Sequence, residues 1–378
     1  MENVKKNFGF GCIRLPMNGE QVDFEETKRM VDAFLDAGFN YFDTAHGYIQ
    51  GMSETALREC LTSRYPRDRY ILTNKLTGNF FKTEADIRPF FESQLQACGV
   101  EYFDYYLMHA QGAGNYDHYR ACRAYETAFA LKAEGKVRHV GISFHDRAEV
   151  LEQILTDYPE IEVVQIQFNY MDYDDTAVQS RKCYGVCVKH GKPVIVMEPV
   201  KGGTLANPPQ NVQEMLHEAH PDWSPAEWAI RFAASLENVM VVLSGMSDLA
   251  QLDENTGFMQ DFTPLTEEDQ ALLLQAAEKI RAGIAIPCTG CRYCVEASKC
   301  PKNILIPNYF ALFNTRKLMK RRDFSPEIEY YENYLSQGYG KASDCIACKS
   351  CERVCPQHIH ISEWMPKLAE NMENGQGF

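Results

Sequence analysis

The sequence predicts an α/β protein in which a closed (β/α)8 TIM barrel precedes a small α-helical domain. The chain has 378 residues. This length suits a barrel of about 250 residues with an appendage of about 100. Residues 8 to 280 alternate short apolar runs with amphipathic stretches, and residues 281–378 contain two dense cysteine runs. We therefore place one domain at 1–280 and a second at 281–378.

Eight apolar runs are the candidate strands. They are "FGFGCIRL", "NYFDTA", "YILTNKL", "FDYYLMH", "RHVGISF", "VVQIQFN", "PVIVMEP" and "VMVVLSGM". Eight strands alternating with helices predict a parallel sheet that closes into a barrel. An open doubly wound sheet is the alternative, but it requires a G-x-G-x-x-G segment after the first strand, and "FGFGCIRLP" has none.

Amphipathic segments between these runs are the candidate helices. The first four cover residues 23–38, 53–64, 83–99 and 119–136. The first has acidic residues in its first turn and Gly38 at its end, which is typical of a capped helix. Between the cysteine runs, "YFALFNTRKLMKRR" predicts a further helix.

Charge and hydropathy exclude several classes of function. The net charge of −14 argues against a nucleic-acid partner, because phosphate binding favours a basic surface. The first residues contain no apolar signal segment, and no run of 18 apolar residues occurs. We therefore expect a cytoplasmic protein that neither binds nucleic acid nor enters a membrane.

Eight of the fourteen cysteines form two runs that end in Cys-Pro. Cys288, Cys291, Cys294 and Cys300 follow C-x2-C-x2-C-x5-C-P, and Cys345, Cys348, Cys351 and Cys355 follow C-x2-C-x2-C-x3-C-P. Three thiolates at every third position of a tight loop can bind three corners of an iron–sulfur cube. Zinc and disulfides are the alternatives, and they fit less well because a third cysteine lies in register and no secretory signal is present. The runs therefore predict two 4Fe-4S clusters.

Residues 284–362 resemble bacterial two-cluster ferredoxins. In those proteins the last cysteine of each run binds the other cluster. The resemblance implies that Cys355 completes the cluster of the first run and Cys300 that of the second. The longer spacer before Cys300 leaves open that the first run closes on itself.

Four polar residues fall at the carboxyl ends of predicted strands or just beyond, where barrel enzymes carry their chemistry. They are Asp43, Tyr48, Lys75 and His109. A lysine beside a phenol lowers the tyrosine pKa, and a carboxylate can hold that lysine. We expect a tyrosine that donates a proton and a neutral histidine that orients a carbonyl. This set predicts carbonyl reduction.

Residues 8–260 resemble the aldo-keto reductase family. The matching segments include "GFGCIRLP", "FDTAHGYIQGMSE", "ILTNKL", "YYLMHA", "VRHVGISF", "VVQIQFNY" and "PVIVMEPVKGG", in the family's order. The resemblance implies that Asp43, Tyr48, Lys75 and His109 are the catalytic tetrad. It also implies a nicotinamide cofactor with contacts at Ser143, Gln165, Gly202, Ser244, Gly245, Met246, Glu254 and Asn255. With the cluster-binding tail, the chain resembles the iron–sulfur branch of the family.

Three departures from the family pattern concern the cofactor. Phe144 replaces the usual asparagine, and Met197 replaces the usual stacking aromatic residue. The segment that usually clamps the 2′-phosphate with arginine has Gln251 and no basic residue. Because arginine is the natural bidentate partner of phosphate, this favours either NADH over NADPH or weak nucleotide binding altogether.

The sequence therefore predicts an oxidoreductase that interconverts a small carbonyl compound and its alcohol and exchanges electrons through two clusters. One alternative is an electron-transfer protein whose clusters supply a barrel-bound substrate without nicotinamide, and another is a non-catalytic redox sensor. The basic run at 316–323 is either a solvated helix face or a docking surface for an acidic ferredoxin or flavodoxin.

Overall fold

A computed structural model of the chain describes residues 4–283, 285–288, 290, 292–296, 298, 300–319, 325–355 and 357–374. Cys291, one of the predicted cluster ligands, lies outside the described residues.

The predicted closed (β/α)8 barrel is confirmed. Its parallel strands are hydrogen-bonded in the order β1-β10-β9-β8-β7-β6-β5-β4, and β4 pairs with β1 to close the ring. The strands of the chain are β1 (Phe8–Gly11), β2 (Met17–Asn18), β3 (Gln21–Val22), β4 (Tyr41–Asp43), β5 (Ile71–Leu76), β6 (Phe103–Gln111), β7 (Val137–Phe144), β8 (Val163–Gln167), β9 (Val194–Met197) and β10 (Val239–Ser244). Strands β2 and β3 form a separate antiparallel hairpin that the sequence reading did not predict.

Helices surround the barrel and build the C-terminal domain. They are α1 (Phe24–Asp36), α2 (Met52–Leu57), α3 (Glu84–Cys98), α4 (Tyr116–Ala121), α5 (Ala124–Ala133), α6 (Ala148–Asp157), α7 (Ser180–Lys189), α8 (Gln210–Ala219), α9 (Pro225–Ala234), α10 (Leu249–Gln260), α11 (Glu267–Ala282), α12 (Tyr293–Glu296), α13 (Ile306–Met319), α14 (Pro326–Ser336), α15 (Ser350–Arg353) and α16 (Ile361–Glu373). None of these described helices is long and apolar enough to cross a bilayer.

The barrel strands read as apolar runs because side chains are buried on both of their faces. Inside the ring, packed side chains that include Tyr41, Tyr105 and Leu107 fill the space. On the outside, the opposite faces of the strands pack against the helices in one continuous core.

The single helix predicted over 119–136 is wrong, because two helices occupy this region. Helix α4 ends at Ala121 and α5 begins at Ala124. Arg123 between them has φ 53°, in the left-handed region. A helix cannot continue through this conformation, so the chain turns at this residue.

A second apolar core lies in the C-terminal part of the chain. Helices α13, α14 and α16 contribute most of it, and Ala177 and Val178 of the barrel pack into it. The two parts of the chain therefore share buried surface. The boundary between residues 280 and 281 stays a proposal.

The basic run at 316–323 was predicted to be a solvated helix face or a docking surface, and Arg316 fits neither prediction. Its side chain is buried, where Nε donates to Asn371 Oδ1 at 3.0 Å and Nη1 donates to Ser325 Oγ at 2.9 Å. A buried guanidinium needs such partners, and it is not available to a docking protein. Residues 320–323 of the run lie outside the described residues.

Candidate active site and cluster sites

The four residues predicted as a catalytic tetrad lie together at the carboxyl-terminal rim of the barrel. Asp43 is the last residue of β4, Lys75 is in the carboxyl half of β5, and His109 is near the end of β6. Tyr48 begins a short 3-10 turn after β4, in which Ile49 has φ 50°. The strand positions explain the convergence, because parallel strands of a barrel end at one face.

Lys75 and Asp43 form a buried ion pair. Lys75 Nζ lies 2.5 Å from Asp43 Oδ1 and also donates to the carbonyl of Thr44 at 2.9 Å. Burial lowers the pKa of Lys75, but the charges of Asp43 and Tyr48 outweigh it and the net pKa is raised. Burial raises the pKa of Asp43, whereas Lys75 and Gln165 oppose that shift. We take both groups as charged, because the contact satisfies each charge with short hydrogen bonds.

Three further residues that the sequence reading missed fix the backbone of Lys75. Asn74 Oδ1 accepts from the Lys75 amide at 2.8 Å, and Gln94 Nε2 donates to the Lys75 carbonyl at 3.0 Å. Glu54 Oε1 accepts from both amide side chains, at 2.8 and 3.1 Å. All three are buried and come from different elements. Glu54 and Asn74 lie within segments that match the family, but only the folded chain shows that all three side chains hold Lys75 in place.

Tyr48 lies beside the ammonium group of Lys75, as predicted, but its pKa shifts in the direction opposite to the prediction. Lys75 Nζ is 4.9 Å from the centre of the Tyr48 ring. Burial raises the pKa of Tyr48, and this effect exceeds the opposing influence of Lys75. The net pKa is therefore raised, not lowered as the sequence reading predicted. The phenol keeps its proton at neutral pH and is a donor.

His109 is a neutral imidazole next to Tyr48. The two rings meet edge to face, with centres 5.9 Å apart and planes at 74°. Burial, then the positive charge of Lys75 and the neighbouring His145, hold the pKa of His109 well below its usual range. Thr77 Oγ1 lies 2.7 Å from His109 Nδ1. If this hydroxyl donates, the ring hydrogen is on Nε2 and can be donated to a ligand.

The residues expected to hold a nicotinamide carboxamide lie next to the tetrad. Ser143 on β7 and Gln165 on β8 are partners in register. Gln165 Nε2 donates to Asp43 Oδ2 at 3.1 Å, and Ser143 Oγ accepts from the Ala110 amide at 2.8 Å. Because Ser143 accepts in this contact, its own hydroxyl hydrogen is left to donate to a carboxamide oxygen.

The other expected nucleotide contacts follow β9 and β10. Gly202 has φ 64°, a conformation that suits glycine, in the short helix after β9. Ser244, Gly245 and Met246 end or follow β10, and Asn255 Nδ2 donates to Ser244 Oγ at 3.4 Å. Glu254 instead accepts a short hydrogen bond from Ser224. The predicted contacts therefore follow the carboxyl ends of β9 and β10, and Glu254 among them already accepts from Ser224.

The segment expected to bind the 2′-phosphate carries a carboxylate. Asp248 caps α10 by accepting from the Gln251 amide at 2.9 Å, and Gln251 Nε2 donates to Asp248 Oδ2 at 2.8 Å. One positively charged side chain lies near this region. Arg14, in the loop after β1, lies beside Gly245 and pairs with Glu198 at 3.6 Å. Sequence reasoning missed Arg14 because it is more than 200 residues away in the chain.

The described cluster cysteines line two small cavities in the C-terminal domain. One cavity is bordered by Cys300, Cys345, Cys348 and Cys351. The other is bordered by Cys288, Cys294 and Cys355. Each cavity thus brings the last cysteine of one run next to the first cysteines of the other.

The walls of both cavities fit an iron–sulfur cube. Apart from the cysteines they are largely apolar, and Ile306 and Ile361 border both, so these two side chains separate the cavities. No disulfide joins the described cysteines. Sulfur atoms spread around a cavity suit a cluster better than one tetrahedral zinc ion.

Comparison with known families assigns both parts of the chain. Residues 7–278 match the aldo/keto reductase family. Residues 287–360 match a 4Fe-4S dicluster domain. Together the two matches cover the barrel and both cysteine runs.

Curated relatives are similar to the barrel. A protein named NADH-specific methylglyoxal reductase from Escherichia coli is 26% identical over 195 residues, which is 46% of this chain and 57% of that relative. A 9,11-endoperoxide prostaglandin H2 reductase from Trypanosoma cruzi is 26% identical over 291 residues, covering 73% of this chain and 95% of the relative.

Solved structures share the barrel fold. An aldo-keto reductase from Klebsiella pneumoniae in complex with NADPH superposes with a TM-score of 0.59 at 20% identity, covering 71% of this chain and 90% of that one. The holo form of an aldo-keto reductase from Bacillus halodurans gives 0.58 at 25% identity, covering 71% and 91%.

Proposed function

The chain belongs to the aldo/keto reductase family, and on that premise we propose that it reduces or oxidises a carbonyl/alcohol pair with a nicotinamide cofactor and exchanges electrons through two 4Fe-4S clusters. The observation that carries the proposal is the convergence of Tyr48, His109 and the Lys75–Asp43 pair at one rim. When bound, the nicotinamide supplies or accepts a hydride, and the clusters carry single electrons.

Tyr48 is the proton donor of the proposed reduction. Its raised pKa keeps the phenol protonated until a carbonyl oxygen gains negative charge. Lys75 then stabilises the phenolate that remains, because its ammonium lies beside the ring. Asp43 keeps Lys75 charged and in place. The proton from Tyr48 and a hydride together convert the carbonyl to an alcohol, and solvent reprotonates the phenolate.

His109 orients the substrate. A neutral imidazole can donate to a carbonyl oxygen without adding a positive charge that would compete with Lys75. Ser143 and Gln165, which lie next to the tetrad, hold the carboxamide in this proposal. Gln165 also bonds to Asp43, so the proposed cofactor site and the tetrad share a residue.

NADH is the proposed nucleotide. Asp248 and Gln251 lie in the segment where the family pattern has basic residues for the 2′-phosphate, and they bond to each other. A carboxylate there repels a phosphate dianion and can accept from a ribose hydroxyl instead. Arg14 is the candidate partner for the pyrophosphate, since it lies beside Gly245.

The cavity bordered by Cys300, Cys345, Cys348 and Cys351 is the proposed exit for electrons to a ferredoxin or flavodoxin. Cys348 is exposed there, and the neighbouring Ile346 has 58% of its surface exposed. Lys302 and Lys349 border the same cavity in a chain whose net charge is −14. An acidic one-electron carrier complements this local positive charge.

Anaerobic turnover tests the proposed function in two arms. In the first, protein with both clusters, NADH and methylglyoxal should yield one alcohol for each NADH oxidised. In the second, oxidised ferredoxin or flavodoxin replaces the carbonyl, and each NADH oxidised should deliver one electron to each of two carriers. If NADH is oxidised in neither arm, the protein is not a nicotinamide-dependent oxidoreductase. If NADH is oxidised only in the first arm, the ferredoxin or flavodoxin partner is removed from the proposal.

A further inference from the structure

Helix α14 of the C-terminal domain packs against two loops at the carboxyl-terminal rim of the barrel. Asn333 on this helix bonds to two barrel loops at once. Its Oδ1 accepts from the Gly114 amide at 3.0 Å, and its Nδ2 donates to the His145 carbonyl at 3.0 Å. One loop follows the strand that carries His109, and the other follows the strand that carries Ser143. A single side chain therefore ties the C-terminal domain to both segments.

The fit around Asn333 is tight. The residue is 2% exposed. A Cβ atom on Gly112 would come within 2.4 Å of Asn333 Nδ2, and one on Gly114 would come within 2.5 Å of Oδ1. Only glycine lets the loop approach the amide this closely, so the loop and the helix are complementary in shape as well as in hydrogen bonding.

Neighbouring residues of α14 extend this contact towards the tetrad. Tyr330 meets the ring of His145 edge to face, with centres 5.9 Å apart. Glu329, the preceding residue, is half-buried. Burial, then Glu332 and Asp146, raises the pKa of Glu329 to about 7. Its charge also acts weakly on Tyr119, whose hydroxyl donates to the Leu76 carbonyl at 2.6 Å and lies 3.1 Å from the His109 carbonyl.

We propose that α14 is part of the wall of the substrate site and that Asn333 is a positioning residue for His109 and Ser143. The barrel rim is then complete only when the C-terminal domain is docked on it. This inference rests on the proposed function, because it assigns the α14 wall to the same carbonyl site. It gives the domain a role in substrate binding in addition to carrying electrons.

Replacing Asn333 with alanine tests the positioning role. The variant should lose about tenfold to a hundredfold in kcat/KM for methylglyoxal, because small displacements of reacting groups carry penalties of this size. Amide hydrogen exchange at residues 110–116 should become faster, since the Gly114 N–H loses its acceptor. The visible absorbance of the clusters should stay unchanged.

Asn308→Ala is the matched control. Asn308 Nδ2 also crosses between the two parts of the chain, donating to the Thr176 carbonyl at 3.1 Å. Its truncation should leave kcat/KM near the wild-type value. Gly114→Ala alters the same contact from the barrel side. Alone it should lower kcat/KM, but added to Asn333→Ala it should cause almost no further loss of kcat/KM. Such non-additivity is expected only for residues in contact.

Three outcomes would contradict this inference, and they distinguish its failure from that of the proposed function. An active wild-type protein whose Asn333→Ala variant matches Asn308→Ala in both kcat/KM and exchange would overturn the positioning role alone. A wild-type protein that reduces no carbonyl would refute the proposed function and the positioning role with it. Faster exchange without a change in kcat/KM would show a structural contact only, which also overturns the proposal.

Discussion

Replacing Tyr48 with phenylalanine should lower kcat for carbonyl reduction by about 10²–10⁴-fold, the usual contribution of a general acid. The change removes the proton that the substrate oxygen needs and keeps the ring. The Lys75–Asp43 ion pair does not depend on the Tyr48 hydroxyl, because Gln165 and the Thr44 carbonyl also hold it. Steady-state assays with NADH and methylglyoxal measure the loss.

Tyr65→Phe is the matched control for this prediction. Its hydroxyl donates to the carboxylate of Asp32 on helix α1 at 2.6 Å, on the outside of the barrel. The control should turn over at the wild-type rate. Near-normal turnover in Tyr48→Phe, with the control unchanged, would remove Tyr48 from the mechanism.

Replacing Cys355 with alanine should remove the cluster built on the first cysteine run. The wild-type protein should contain about eight iron and eight sulfide per chain, as two cubane clusters require. Cys355 borders the cavity of Cys288 and Cys294, although it belongs to the second run in sequence. Iron in the variant should therefore fall towards about four per chain, with the remaining cluster bound by the second run and Cys300.

Cys300→Ala is the mirror variant, and it should spare the first cluster and damage the second. Site-resolved spectroscopy of the two variants distinguishes the clusters. If Cys355→Ala lost the cluster of Cys345, Cys348 and Cys351 instead, the crossed assignment would be wrong and each run would close on itself. Stoichiometric zinc without acid-labile sulfide would contradict both arrangements.

The sequence predicted the barrel because buried parallel strands leave a strong local signal. All eight apolar runs contain a strand, since neither face of these strands meets water. The β2–β3 hairpin was missed because each strand has only two residues, and three of the four are exposed. The break at Arg123 was missed because no glycine or proline marks that left-handed turn.

The candidate site was predictable only in part. The positions of the tetrad follow from strand ends, so motif and topology suffice for them. The direction of the Tyr48 pKa shift could not be predicted from the sequence, because it depends on how many distant atoms bury the phenol. Asn333 contacts a residue 219 positions away, and Arg316 is buried by partners 9 and 55 positions away. Contacts at such separations exist only once the chain has folded.

The most direct test of the central claim is an anaerobic titration of the protein carrying both clusters with NADH and, separately, with NADPH. The claim is that a nicotinamide-dependent barrel and two clusters exchange electrons within one chain. We predict that NADH bleaches the visible cluster absorbance, with one NADH supplying one electron to each cluster, and that NADPH is less effective. Bleaching by dithionite but by neither nucleotide would contradict the account and favour an electron-transfer protein that works without nicotinamide.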